Sequence, residues 1–261
     1  MNPFTNIAVA GSGNLAEALC TALSQTAGIN LTLVARNAER GRLIASSCGC
    51  RHVAFDSLPA DIDLCIIAVS DSAIASVAAA LDLPADAVVV HTSGATDIGL
   101  LPERFARRGV IYPLQTFTAG RRVDFAAIPL FVEGSDAATQ ASLLRFAGLL
   151  SRRVAPADSA TRRRIHLAGV FACNFANAMY GIGSRIMADA GFGFDMLRPL
   201  IAETAAKAVE AQSPADVQTG PAVRGDRGSM ERHMELLADE RRLAEIYKLT
   251  SEEIWEISKR T

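Results

Sequence analysis

The chain lacks a charge imbalance: 26 Lys and Arg stand against 28 Asp and Glu in 261 residues, a formal net charge of −2. That balance gives no electrostatic footing for nucleic acid or an anionic membrane as the main partner. Cysteine is scarce, at 5 residues, and odd in number, which argues against a disulfide framework and for a reducing compartment. Cys48 and Cys50 form a Cys-Gly-Cys, but no second Cys or His cluster stands nearby to complete a metal site, so no metal is expected. No basic lead or cleavage site precedes the first strand-like run, "NIAVAG", so no signal peptide is expected. Apolar runs read as shorter than a bilayer requires, or as broken by charge and glycine. These absences together predict a cytoplasmic protein with neither a membrane nor a nucleic-acid partner.

What is present is alternation. Short β-branched runs at 6–10, 31–35, 63–69, 87–92, 110–112 and 129–133, with weaker ones at 52–55 and 152–155, alternate with helix-length segments at 15–27, 38–47 and 137–150. Runs as uniformly apolar as "LCIIAV" and "AVVV" suit strands covered on both faces. The pattern predicts a doubly wound, mainly parallel α/β sheet. After about residue 156 strand signals stop, and helices are expected at 159–190, 195–211, 230–247 and 252–259, the last with Thr250 and Glu253 at capping-box spacing. A polar, Gly- and Pro-rich loop is expected at 213–229. The expected organisation is an α/β domain over 1–155 and an all-α domain over 156–261.

"VAGSGNLAEAL" sets Gly11, Gly13 and Ala16 in a G-x-G-x-x-A frame between a strand and a helix. Glycines there permit a tight turn and close backbone approach to a pyrophosphate, while helix N–H groups face the anion. Gly11, Ser12, Gly13, Asn14 and Leu15 are therefore the candidate phosphate cradle. One further absence then matters. No acid closes the second strand, where a ribose 2′-hydroxyl would be read; Arg36 stands there, with Asn37 and Arg40 beside it. A guanidinium offers forked donors to a phosphate, at roughly 1.5–3 kcal/mol per charge-assisted bond, which predicts NADP over NAD. The missing acid also counts against S-adenosylmethionine.

Other candidates fall at strand C-terminal ends, the rim where open α/β sheets bind ligands. Val69 and Ser70 follow the fourth strand, His91, Thr92 and Ser93 the fifth, and Gln115 and Thr116 the sixth. Farther on, the helix expected from Ser159 places Phe171, Phe175, Ala178, Ile182 and Ile186 on one face at 100° per residue. His166, Cys173, Asn177, Tyr180 and Ser184, with Asn174 at the margin, form an uncharged polar stripe opposite, expected to be buried against a cofactor cleft or another subunit. Arg162, Arg163 and Arg164 read as a solvated helix start, and Glu203 with Lys207 as an exposed i, i+4 pair.

Over essentially its whole length the chain resembles Rossmann-like proteins that carry a helical C-terminal domain of unknown function, in the wider group of pyrroline-5-carboxylate reductase, ketopantoate reductase and 6-phosphogluconate dehydrogenase. "GSGNLA", "HTSGATD", "YPLQTF", "FVEG", "HLAGVFACNFAN" and "QTGPAVRGD" carry the likeness. The resemblance implies an NADP-binding oxidoreductase-like fold, with a C-terminal domain like that of 6-phosphogluconate dehydrogenase, and a homodimer formed through that domain. It also implies a difference. The related hydroxyacid dehydrogenases present a catalytic lysine on the central helix with an asparagine four residues later; Asn174 matches the asparagine, while Val170 stands at the lysine position.

The expected function is hydride transfer between NADP and a small carbonyl or imine carbon in an interdomain cleft. His166 or His91 would donate the proton, Ser93 and Asn174 would orient the substrate, and Asn177, Gln115 and Thr219 would contact it. Val170 favours the alternative of an NADP-holding sensor or scaffold without turnover. A nucleotide-binding transferase is the third possibility.

Overall fold

The computed structural model describes residues 2–259. Its strands are β1 (Asn6–Ala10), β2 (Asn30–Val34), β3 (Arg51–Val53), β4 (Leu64–Ile67), β5 (Val88–His91), β6 (Arg107–Pro113), β7 (Leu130–Gly134) and β8 (Val154–Pro156). They form one sheet in the order β3-β2-β1-β4-β5-β6-β7-β8. Every neighbouring pair is parallel except β6 and β7. The helices of this part are α1 (Asn14–Ser24), α2 (Ala38–Cys48), α3 (Ile74–Ala80) and α4 (Ala137–Leu150).

Strand pleating divides the core in two. Ile7, Val9, Leu64, Ile66, Val88 and Val90 point to one face, against Leu19 and Leu23 of α1, Ile44 of α2 and Phe146 of α4. Ala8, Ala10, Cys65, Ile67 and Val89 point to the other, against Ile74, Val77 and Ala78 of α3. The double covering explains why these strands read as continuous apolar runs. It also brings Ala10, Val34, Ile67, His91 and Pro113 to one edge as the C-terminal ends of five adjacent parallel strands.

From Ser159 the chain is helical for 31 residues: α5 (Ser159–Gly169), a π-helical segment (Val170–Phe175) and α6 (Ala176–Asp189). There follow α7 (Arg198–Glu210), α8 (Pro221–Arg224), α9 (Arg227–Leu236) and α10 (Arg241–Ser258). Contacts divide the chain into two compact units, residues 1–176 and 177–261.

Several expectations need correction. The region from 230 to 259 holds a break after Leu236 and then one helix, α10, instead of helices at 230–247 and 252–259. Thr250 and Glu253 lie inside α10, so no capping box forms there. The supposed loop at 213–229 is folded by its own caps: Ser213 and Asp216 make a capping box, Pro221 opens α8, Gly225 closes it at φ 64, and Asp226 caps α9. These polar residues and glycines terminate helices where composition alone suggested coil. The stretch Ser159–Asp189 is long and apolar enough, by length and composition, to cross a membrane, because glycine does not interrupt it and charge is confined to its ends. Within this single chain Cys173, Asn174 and Asn177 of the polar stripe are exposed, while His166, Tyr180 and Ser184 are half-buried. The π segment changes the residues per turn, so a fixed 100° step does not carry across it.

Candidate functional site

The first candidate region is built where β1 gives way to α1. Gly11 sits at φ +147, and a Cβ placed on it would lie 2.1 Å from the Ala68 carbonyl oxygen. Only glycine lets the chain turn this close to the end of β4. Gly13 precedes α1 without a side-chain cap, and nothing lies within 4 Å of where its Cβ would stand. The first N–H groups of α1 thus lack a side-chain cap, as an anion site requires. Ser12, Gly13, Asn14, Leu15, Arg36, Ala68, Val69, Ser70, Ala73 and Phe117 line a cavity of about 510 Å³ there.

Arg36 is exposed and has no hydrogen-bond or ion-pair partner among the described residues. Its two sequence companions are engaged. Asn37 caps α2, accepting the Arg40 N–H at 3.0 Å, and Arg40 is ion-paired with Glu17 of α1. Asn14 donates to the Phe117 carbonyl at 3.0 Å and so holds the cavity wall. An open glycine cradle with one unpaired guanidinium in the same cavity fits a nicotinamide dinucleotide. A larger hollow of about 660 Å³ lies across Asn14 and Phe117, but it contains no other candidate residue.

The second region lies at the ends of β5 and β6. His91 is fully buried, and its Nδ1 accepts the Ser93 N–H at 3.2 Å. Nε2 then carries the proton, and among the described residues it has no acceptor at full hydrogen-bond geometry. Burial, reinforced by the nearby Arg162 charge, pushes this imidazole down to about 4. His91 is therefore neutral near pH 7 and a poor source of protons. Thr92 donates its hydroxyl to the Ile67 carbonyl at 3.3 Å. Ser93 Oγ accepts the Ala95 and Thr96 N–H groups at 3.2 and 3.0 Å and donates to Thr96 Oγ1 at 2.9 Å. Both hydroxyls are consumed in shaping the turn that follows β5.

His166 is different. It is half-buried on α5, and its Nδ1 lies 3.2 Å from the Tyr112 hydroxyl at the end of β6. The rings meet edge to face, with centroids 6.0 Å apart. Burial, with a smaller contribution from the Asp71 carboxylate, holds the Tyr112 phenol above its ordinary value. Gly94 makes the contact possible: a Cβ there would lie 2.6 Å from the Tyr112 ring and 2.8 Å from His166 Nδ1. The arrangement can pass a proton between a phenol and an imidazole beside the strand ends.

Tyr112 is not among the candidates that the sequence suggests, although it begins "YPLQTF"; a tyrosine at a strand end just before proline is the available signal. Gln115 and Thr116, chosen instead, are exposed and bonded to each other. Arg162 was also misread: it is wholly buried and ion-paired with Glu133, while its neighbour Arg163 is exposed and paired with Asp97 at 3.2 Å. Asn174 lies in the π segment, and Val170 begins it. Asn177 and Thr219 belong to the second unit, where both are exposed.

Residues 6–94 match a family described as NADP oxidoreductase, coenzyme F420-dependent, and residues 128–254 match a domain of unknown function, DUF2520. Among solved structures, a putative NADP oxidoreductase from Bacteroides fragilis is 35% identical over 98% of this chain and 100% of its own, with a TM-score of 0.87. A protein from Thermotoga maritima shares the fold at 23% identity and a TM-score of 0.76, over 97% of this chain and 98% of its own. A pyrroline-5-carboxylate reductase from Coxiella burnetii does so at 15% identity and a TM-score of 0.60, over 98% of each chain. Comparison with curated proteins finds no match.

Proposed function

This chain, in which an NADP-oxidoreductase match precedes a DUF2520 match, belongs to the family of the putative NADP oxidoreductase from Bacteroides fragilis, and on that footing we propose that it is an NADP-dependent oxidoreductase acting on a small carbonyl or imine compound. The observation that carries this is the unpaired Arg36 guanidinium in one cavity with the bare glycine loop. The loop and the α1 N-terminus would hold the pyrophosphate, and Arg36 the 2′-phosphate. When bound, the coenzyme supplies or accepts a hydride.

The chain's own part is the proton. Tyr112 is a phenol at neutral pH, as an ordinary tyrosine is, and burial shifts its ionisation further upward. It can give its proton to a developing oxyanion or amine and recover one from His166 at 3.2 Å. This assigns the donor role to the Tyr112–His166 pair and leaves His91 as a buried prop for the turn. The resemblance implies that Val170 stands at the position of the related enzymes' lysine, which fits a donor that has moved to these residues. NADPH oxidation with cyclic imines and keto acids tests the proposal. Turnover should fall about a hundredfold in Tyr112→Phe and in His166→Ala, within the usual range for a lost general acid. Unchanged turnover in both would remove the pair from the chemistry.

The second unit favours a homodimer. Among its described residues only Ala222 and Ser251 are buried, so its apolar surface lacks cover.

A further inference from the structure

Arg162 is the largest side chain with no exposure, and a buried guanidinium is costly unless every donor finds an acceptor. Here each does. Nη1 is paired with Glu133 at the second strand beyond β5. Nε donates to the Ser93 carbonyl at 3.1 Å, and Nη2 donates to the Thr96 carbonyl and to Ser159 Oγ. Ser159 Oγ in turn donates to Glu133 and accepts the Ile98 N–H at 3.2 Å. The guanidinium therefore grips both ends of the turn from Ser93 to Thr96. Gly94 lies between those ends, under the Tyr112 ring and His166. Arg162 also stands one helical turn before His166, on the same side of α5.

A buried ion pair of this kind adds little to stability, since apolar replacements of similar volume are often neutral or better. What the pair does supply is geometry: one group ties β7, α5 and the β5 turn at fixed distances. Resting on the assignment of Tyr112 and His166 above, we infer that Arg162 is a positioning residue, whose grip on the Ser93–Thr96 turn keeps Gly94 as the floor on which those two side chains meet.

The test needs neither coenzyme nor substrate, so it fails separately from the oxidoreductase proposal. In the double variant Arg162→Met with Glu133→Leu, the cooperative melt should survive, with Tm within about 5 °C of the parent. Exchange of the Ala95 and Thr96 amides should nevertheless accelerate about tenfold or more, because the turn opens locally. The Tyr112 phenol, followed by carbon-13 tyrosine resonances, should titrate nearer its ordinary value as the packing that desolvates it loosens. Arg162→Lys keeps a cation beside Glu133 but cannot bond both carbonyls, so its Tyr112 midpoint should fall in between. Parent-like exchange and titration in the double variant would overturn the inference. So would loss of the folded state in the double variant, which would make the pair a strut of the fold.

Discussion

The two compact units bury their apolar residues on opposite terms. In residues 1–176 the sheet has a filled layer on each face, with Ile7, Val9, Leu64, Ile66, Val88 and Val90 wholly inaccessible. In residues 177–261 large apolar side chains lie open, Leu200 at 63%, Leu249 at 66% and Leu236 at 83% exposure. Helices with so little buried area gain little of their stability from packing within the chain. The first unit fills a core from its own residues, although Leu167 at 55% and Phe171 at 62% lie open near its end, and the second buries far less.

The strongest way to break this contrast is to interfere with the missing cover. If a second copy supplies it, Met196→Asp with Leu200→Asp should weaken association by a hundredfold or more, about 3 kcal/mol, in sedimentation equilibrium. A parent chain that sediments as a single copy, with a cooperative melt of its helical region, would end the idea that this unit is incomplete. A comparable effect is expected inside the sheet unit. Gly11→Ala forces a Cβ against the Ala68 carbonyl at a positive φ and should cost about 3 kcal/mol in urea unfolding. A loss below about 0.5 kcal/mol would mean that the turn relaxes easily.

A smaller effect sharpens the contrast through pH. His91 titrates near 4 when folded, against 6.5 ordinarily. Its folded value is the lower one, so the unfolded chain binds the extra proton first as pH falls. The stability this buried neutral ring allows is complete above about pH 6.5 and declines as pH drops toward 4. Between pH 6.5 and 5, ahead of most carboxylates, the loss should be about 2 kcal/mol. His91→Gln should flatten that slope; an unchanged slope would place the titrating group elsewhere.

Sequence made one end of the site far more legible than the other. The glycine loop and Arg36 are signals of local spacing, and parallel alternation fixes which strand ends share the rim, so the cofactor end could be assembled from short motifs. Tyr112 and His166 meet across 54 residues, through a glycine contributed by a third segment, and no periodicity encodes that contact. Arg162 was hidden by its neighbours: three consecutive arginines resemble a solvated face, and only Glu133, on a distant strand, shows that one of them turns inward. The Arg40 ion pair was hidden as well, since its partner Glu17 lies on the preceding helix, 23 residues away. The π segment from Val170 to Phe175 defeated the helical wheel, because a wheel assumes a constant turn. The caps around residues 213–229 were visible in the sequence, yet composition outweighed them in the expectation of a loop.

Calorimetric titration of NADP and NAD into the parent, Arg36→Glu and Arg40→Ala chains tests the central claim most directly. The parent should prefer NADP by roughly ten- to a hundredfold, Arg36→Glu should lose or reverse that preference, and Arg40→Ala, whose guanidinium is already spent on Glu17, should keep it. Equal affinity for the two coenzymes in the parent, or a preference untouched by Arg36→Glu, would contradict the account.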